Sequence, residues 1–294
     1  MKKLLAILLA VLMVFSIVAC SDKETQGNND DEQYKDKTVI KDSETLEGSA
    51  DTFYFENVDS ETVIIVGFST TNDKKHPIKI PAYFIDNGGE DPLRVIGIGK
   101  EAFNCSSSVE TLVFPTAEEY LKLDADFDMS KHTFTIGEYA LRECVSLDSL
   151  SIPAYVTEIG DRAFYGCVSL KTVTFENGSV LENIADGAFM GCTSLQSIEI
   201  PASVKTIGVG AFFECKALES VIINEGTVSI ENQAFQNCVA LAQVKLPTTL
   251  ESIGTYVFHG SKKLYKDGLE YTGDVAAVKA YITSLALEDP PKDE

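Results

Sequence analysis

Histidine is scarce in this chain: 294 residues hold three, at His76, His132 and His259. Its imidazole is the side chain that most readily moves protons near neutral pH, so little general acid–base chemistry is on offer. Other chemistry-bearing patterns are missing as well. There is no Gly-x-Ser-x-Gly elbow, no phosphate-cradling glycine loop, no His-Glu-x-x-His and no Cys-x-x-Cys pair. These absences disfavour an enzyme, and no catalytic residue, metal or cofactor is expected. Basic residues are also few, 24 against 45 acidic ones, for a formal net charge of −21. Such a surface repels nucleic acid and by itself names no ligand. Beyond the first 20 residues, no apolar run approaches the roughly 20 residues that a membrane-spanning helix needs.

The start of the chain is different. Lys2 and Lys3 precede an apolar run from Leu4 to Val18, and Ala19-Cys20 leads into the polar Ser21-Asp22-Lys23-Glu24. A basic start, a run too short to span comfortably and a small residue at its end make a signal peptide over residues 1–19. Ile17-Val18-Ala19-Cys20 resembles the lipobox of bacterial lipoproteins, which implies that Cys20 becomes the lipid-bearing first residue. Acyl chains worth ~0.8 kcal/mol per buried CH₂ would then hold the protein on the outer face of the cell membrane, its only membrane contact. The alternative is secretion with cleavage elsewhere and an unmodified Cys20. Residues 20–50 are dominated by Ser, Asp, Glu, Lys, Gln, Asn and Gly. They cannot bury enough surface to offset ordering and are expected to form a disordered tether.

With 45% apolar residues the remainder can build a core, and its strongest signal is an internal repeat. Ile-Gly-x-x-Ala-Phe and its variants begin at Ile98, Ile136, Ile159, Ile184, Ile207, Ile230 and Ile253. The last six starts lie 23 to 25 residues apart, and in every copy six residues separate the Phe column from the next Leu column. Each copy then runs through a pattern such as Leu147-Leu150-Ile152 or Leu218-Val221-Ile223, in which the last two apolar positions alternate with polar ones. A strand with one buried face reads that way, and stacked copies build a parallel sheet.

The full pattern, I-G-x-x-A-F-x-x-C-x-x-L-x-x-V-x-I-P, resembles the BspA-like, or Treponema-type, branch of the leucine-rich repeats. That resemblance implies an α/β, β-dominated, right-handed leucine-rich-repeat solenoid with a parallel β-sheet, an N-terminal β cap and a short C-terminal helix. It also implies a bacterial surface protein, often one acting in adhesion. The cap is expected over residues 51–97, the repeats over 98–264 with an insertion at 116–135, and a C-terminal cap and tail over 265–294. Val275, Val278, Ile282 and Leu285 carry the helical spacing for that last element. The copies depart from the pattern in two informative ways. The Pro that follows the strand (Pro115, Pro153, Pro201, Pro247) becomes Glu176 and Asn224 in two copies, and the insertion follows Pro115.

Seven cysteines in an exported chain invite disulfides, but Cys144, Cys167, Cys192, Cys215 and Cys238 share one column. In a parallel stack their Cβ vectors do not face one another, so a ladder of buried, unreactive thiols is expected. Cys105 falls one residue before that column, which marks it as the internal cysteine to examine for reactivity. Asp124-Ala125-Asp126-Phe127-Asp128 looks like the start of a calcium loop, but Met129 and Thr135 stand where such a loop needs Gly and Glu. A solvated acidic insertion is the preferred reading.

The candidate binding surface is the outward face of the repeat strands. One column is Thr111, Ser149, Thr172, Ser197, Ser220 and Gln243; beside it run Ser151, Thr174, Glu199, Ile222 and Lys245. No aromatic stripe for sugar stacking lies along them. The expected function is non-catalytic binding of a host or bacterial surface protein. Capture of a glycan or nutrient, and a passive envelope role without a specific ligand, remain as alternatives.

Overall fold

The structure is a computed structural model that describes residues 38–41, 51–71, 74–84, 92–122, 131–261, 276 and 278–280. Residues 1–37, with Cys20, and Asp124–Asp128 lie outside the described residues. The elements begin with β1 (Thr38–Lys41), β2 (Asp51–Asn57), β3 (Thr62–Thr70), β4 (His76–Lys79), β5 (Tyr83–Phe84), β6 (Leu93–Ile98), β7 (Val109–Val113) and helix α1 (Ala117–Leu121). They continue as β8 (Phe134–Ile136), β9 (Ser149–Ile152), β10 (Val156–Ile159), β11 (Thr172–Phe175), β12 (Asn183–Ile184) and β13 (Ser197–Ile200). The last are β14 (Thr206–Ile207), β15 (Ser220–Ile223), β16 (Ser229–Ile230), β17 (Gln243–Lys245) and β18 (Ser252–Ile253).

These strands form a leucine-rich-repeat solenoid with two sheets, where the sequence led us to expect one. The anticipated sheet is seven-stranded and parallel, in the order β17-β15-β13-β11-β9-β7-β4. The second sheet runs β1-β2-β3-β6-β8-β10-β12-β14-β16-β18, with β5 pairing β6 off the main path. From β3 onward its main path is parallel. Its most regular feature is one file of isoleucines, Ile65, Ile98, Ile136, Ile159, Ile184, Ile207, Ile230 and Ile253, each paired with the next. All eight are buried. Several of these strands are two residues long and send one side chain inward, which leaves no alternation for a sequence reading to detect.

Between the second-sheet strand and the Leu column, each coil passes through an arc of turns. Its two outward residues nearest the core Ala and Cys adopt the left-handed conformation in all seven coils. The first file is Glu101, Tyr139, Arg162, Gly187, Gly210, Gln233 and Tyr256; the second is Cys105, Glu143, Gly166, Gly191, Glu214, Asn237 and Gly260. The reason lies in the hydrogen bonds between coils. At every interface the N–H groups of both left-handed residues, and of the Phe-column residue between them, donate to carbonyls of the next coil. Examples are Arg162 to Asp186 at 2.9 Å, Phe164 to Ala188 at 2.8 Å and Gly166 to Met190 at 2.8 Å. The unusual φ values aim these donors along the stack, so that the buried polar backbone is satisfied without a strand.

The interior is continuous. Phe164, Phe189, Phe212, Phe235 and Phe258 stack with centroids 5.1, 5.3, 5.1 and 5.6 Å apart and interplanar angles of 13° or less. Beside them the five column cysteines are free and buried. Each thiol donates to the carbonyl of the Phe-column residue one coil back, as Cys144 does to Phe103 at 3.1 Å and Cys238 to Phe212 at 3.2 Å. Burial pushes these thiols up, Cys238 to about 12 and Cys144, Cys167 and Cys215 well above the ordinary range. They are therefore inert as nucleophiles.

The expected tether is corrected at its C-terminal end. Thr38–Lys41 pair antiparallel with β2, because the β-branched Thr38, Val39 and Ile40 suit an edge strand. The β2–β3 hairpin covers the N-terminal end, and Phe68 stacks on Phe103 at 4.9 Å, a pair that Leu141 separates from the Phe164–Phe258 stack. The expected insertion is also shorter, since Phe134 and Thr135 already belong to β8. At the other end Ala276 and residues 278–280 are helical. Val278 is buried, and Lys279 Nζ donates to the carbonyls of Thr248 and Leu250 at 3.0 and 2.9 Å. The remainder of the expected helix lies outside the described residues.

Candidate functional site

The seven-stranded sheet places the sequence-derived surface residues side by side. Thr172 pairs with both Ser149 and Ser197, Thr111 with Ser149, and Ser220 with both Ser197 and Gln243. The neighbouring column pairs Ser151 with Thr174, and Ile222 with both Glu199 and Lys245. Inward partners such as Leu150, Val173, Ile198 and Val221 are buried, which fixes the alternation and forces these columns outward. The face is not uniformly open. Thr111, Ser149 and Ser220 are half-buried, whereas Thr172, Ser197 and Gln243 are exposed, and so is the whole second column. Val113 and Ile222 remain exposed apolar groups on it. Between the edge strands β4 and β17 the strand backbones are paired on both sides, so recognition on the face falls to side chains.

At the end of this face where β7 and β9 leave the sheet lies a hollow of about 620 Å³. Val113, Pro115, Ala117, Pro153 and Tyr155 give it apolar walls, and Glu176 is its carboxylate. Helix α1 is fixed beside it by a reciprocal cap, in which the Thr116 hydroxyl accepts from Glu119 N–H while the Glu119 carboxylate accepts from Thr116 N–H at 2.8 Å. The Thr116 hydrogen bond and Lys79, 2.9 Å away, hold the Glu119 carboxyl below its usual range. Tyr155 donates to the Pro115 carbonyl at 2.6 Å and Tyr120 to that of Val95 at 2.7 Å. Burial raises both phenols, so they stay protonated as donors.

Sequence reasoning missed an aromatic–arginine group on the arc of turns. The Arg142 guanidinium lies 5.7 Å from the Tyr139 ring centroid and 5.8 Å from that of Tyr165, and it pairs with Glu143 at 3.0 Å. Arg162 lies 5.9 Å from Tyr139 on the adjacent coil. Only knowledge of which turn residues point outward reveals this group. Glu143 balances the Arg142 guanidinium and Arg162 reaches the Tyr139 hydroxyl at 3.4 Å, so the group reads as a surface brace between coils.

The three histidines do not converge. His76 contacts both carboxylate oxygens of the buried Asp51 at 3.0 Å, His259 packs edge-on to Tyr256, and His132 is half-buried within the insertion. Cys105 stands apart from the free column cysteines, with its Sγ 3.3 Å from the Asn104 Oδ1. Its position at a left-handed residue turns it away from the thiol ladder.

Residues 134–265 match the BspA type leucine rich repeat region in six copies. Among solved structures, the T. pallidum leucine rich repeat protein is 27% identical, with a TM-score of 0.60, covering 78% of this chain and 92% of its own. The pneumococcal vaccine antigen PcpA is 16% identical over 76% of this chain and 80% of its own, with a TM-score of 0.41. A leucine rich cell surface protein from Faecalibacterium prausnitzii is 20% identical over 72% and 85%, with a TM-score of 0.33. No curated protein matches the chain. Repeats of this type point to a protein-interaction or surface-associated role, and it is residues 134–265 of this chain, just under half of it, that match them.

Proposed function

We propose that this protein is an exported lipoprotein, anchored through Cys20 to the outer face of a bacterial membrane, and that it binds another protein through the side chains of its seven-stranded sheet without catalysing a reaction. The observation that carries the binding half is the registered face itself. Exposed side chains such as Thr172, Thr174, Ser197 and Glu199 stand in register on adjacent strands, leaving a shallow surface that no other described element covers. Rigid faces of this kind bind with little ordering cost. Pull-down with host and bacterial surface proteins tests it, with soluble sugars as competitors. Thr174→Arg and Ser197→Arg should abolish capture while leaving the thermal melt unchanged. Capture that sugars compete away would favour glycan uptake, and capture unaffected by either variant would refute the sheet as the site.

The anchoring half rests on the lipobox resemblance. It is tested by labelled palmitate incorporation, which should disappear in Cys20→Ala. The chemistry supplies a second check. Among the seven cysteines, Cys20 alone lies outside the described residues, and a thioether to lipid would leave it no thiol for Cys105. A peptide map of the cell-derived protein showing Cys20 bonded to Cys105 would overturn lipidation.

A further inference from the structure

Internal repetition supplies a control within one chain: positions that recur in every coil serve the stack, and a position that departs from its column is free to serve something else. The two departures noted above, the insertion after Pro115 and Glu176 in place of proline, meet in space. Ala117 of the insertion helix and Glu176 line the same hollow. Its walls are set before any ligand arrives, by the Tyr155–Pro115 hydrogen bond and the cap of α1. Glu176 is itself positioned. Its Oε2 accepts from the Ala154 N–H at 3.2 Å, while Oε1 meets no donor among the described residues. An exposed carboxylate with one oxygen committed and one open, at the rim of an apolar hollow, suits a cation attached to an apolar group. The field of the chain has the same sign, with a net charge of −21.

We infer that the hollow between α1 and the ends of β7 and β9 is a docking point for a partner-protein segment that places an apolar side chain beside a lysine or arginine. The apolar side chain fills the space between Val113, Pro153 and Tyr155, and the cation pairs with Glu176 Oε1. The inference rests on the sheet face as the binding surface, because Val113 and Ser151 belong to both.

The test is selection of phage-displayed random peptides on the intact protein, with the winners assayed as free peptides by fluorescence anisotropy. Winners should carry Lys or Arg next to Leu, Ile, Phe or Met. Glu176→Gln, which retains an oxygen for Ala154, should weaken them about tenfold, since it removes one charge-assisted hydrogen bond. Val113→Asp, at an exposed position, should weaken them at least as much. Rising salt should weaken the wild-type interaction more than the Glu176→Gln one. Winners without a basic residue, winners indifferent to both variants, or no enrichment at all would each overturn the inference. Winners indifferent to both variants but lost in Thr174→Arg would remove the hollow and keep the sheet, whereas winners indifferent to all three would remove both.

Discussion

Phe189 lies within the stack with a ring on each side, 5.1 Å from Phe164 and 5.3 Å from Phe212, and it is fully buried. Phe189→Ala removes the buried ring and leaves a cavity that two paired sheets cannot collapse to fill, so a loss of about 3–5 kcal/mol is expected. Part of that loss belongs to the ring pairs, about 0.5–1.5 kcal/mol each beyond burial. The last coil provides the comparison: among the described residues Phe258 has one such neighbour, at 5.6 Å and 13°. Phe258→Ala should cost less and should fray the last coil before the rest. Urea unfolding followed by circular dichroism gives the magnitudes, and a double-mutant cycle isolates the coupling. Phe189 and Phe212 should couple by about 0.5–1.5 kcal/mol, and Phe164 and Phe212, separated by one ring, by close to zero. Additivity of the adjacent pair within about 0.3 kcal/mol would refute the ring stack as a source of stability and leave burial alone.

Glu214 holds a left-handed φ of 58°, which disfavours any residue with a Cβ, so Glu214→Gly should raise stability by about 0.5–1 kcal/mol in the same unfolding assay. Gly254 shows the opposite sensitivity. A Cβ there would lie 2.4 Å from the Asn232 backbone nitrogen, and Gly254→Ala should cost about 1–3 kcal/mol and lower the melting temperature. His76 titrates upward: burial opposes its charge, but the Lys74 carbonyl and the Asp51 carboxylate outweigh it. Its contribution is therefore complete below the unfolded-state pKa of roughly 6.5 and lost as pH rises through the elevated folded value. Asp51→Asn should flatten that part of the stability–pH curve. Iodoacetamide should leave Cys167, Cys192 and Cys215 unmodified in the native protein and label them in urea, as mass spectrometry of the digests would show.

Much of the core was legible because each inward position is repeated. The Ile, Phe, Leu and Cys columns recur at fixed offsets, and only an in-phase stack explains them. What escaped the sequence had little periodic signature. Asn183–Ile184 and Ser229–Ile230 are too short to alternate, so the second sheet was hidden. The left-handed files carry Glu, Tyr, Arg, Gln, Asn and Cys more often than Gly, so no glycine column announced them. Val39 and Ile40 sit in a polar stretch whose composition masked a strand. The outward columns of the seven-stranded sheet were readable by alternation alone. The hollow left only its ingredients in the sequence, because the meeting of Ala117 with Glu176 depends on the coil-to-coil spacing.

The most direct measurement is photo-crosslinking on living cells, with benzoylphenylalanine placed at Thr174 or Ser197 on the sheet or at Asp186 on the arc of turns. All three are exposed, and because the Asp186 probe removes the 2.7 Å hydrogen bond that its carboxylate accepts from the Val209 N–H, an unchanged thermal melt is required of each variant first. Adducts to a discrete partner from Thr174 and Ser197, and none from Asp186, are the expected result. Adducts from Asp186 with none from the sheet would contradict it.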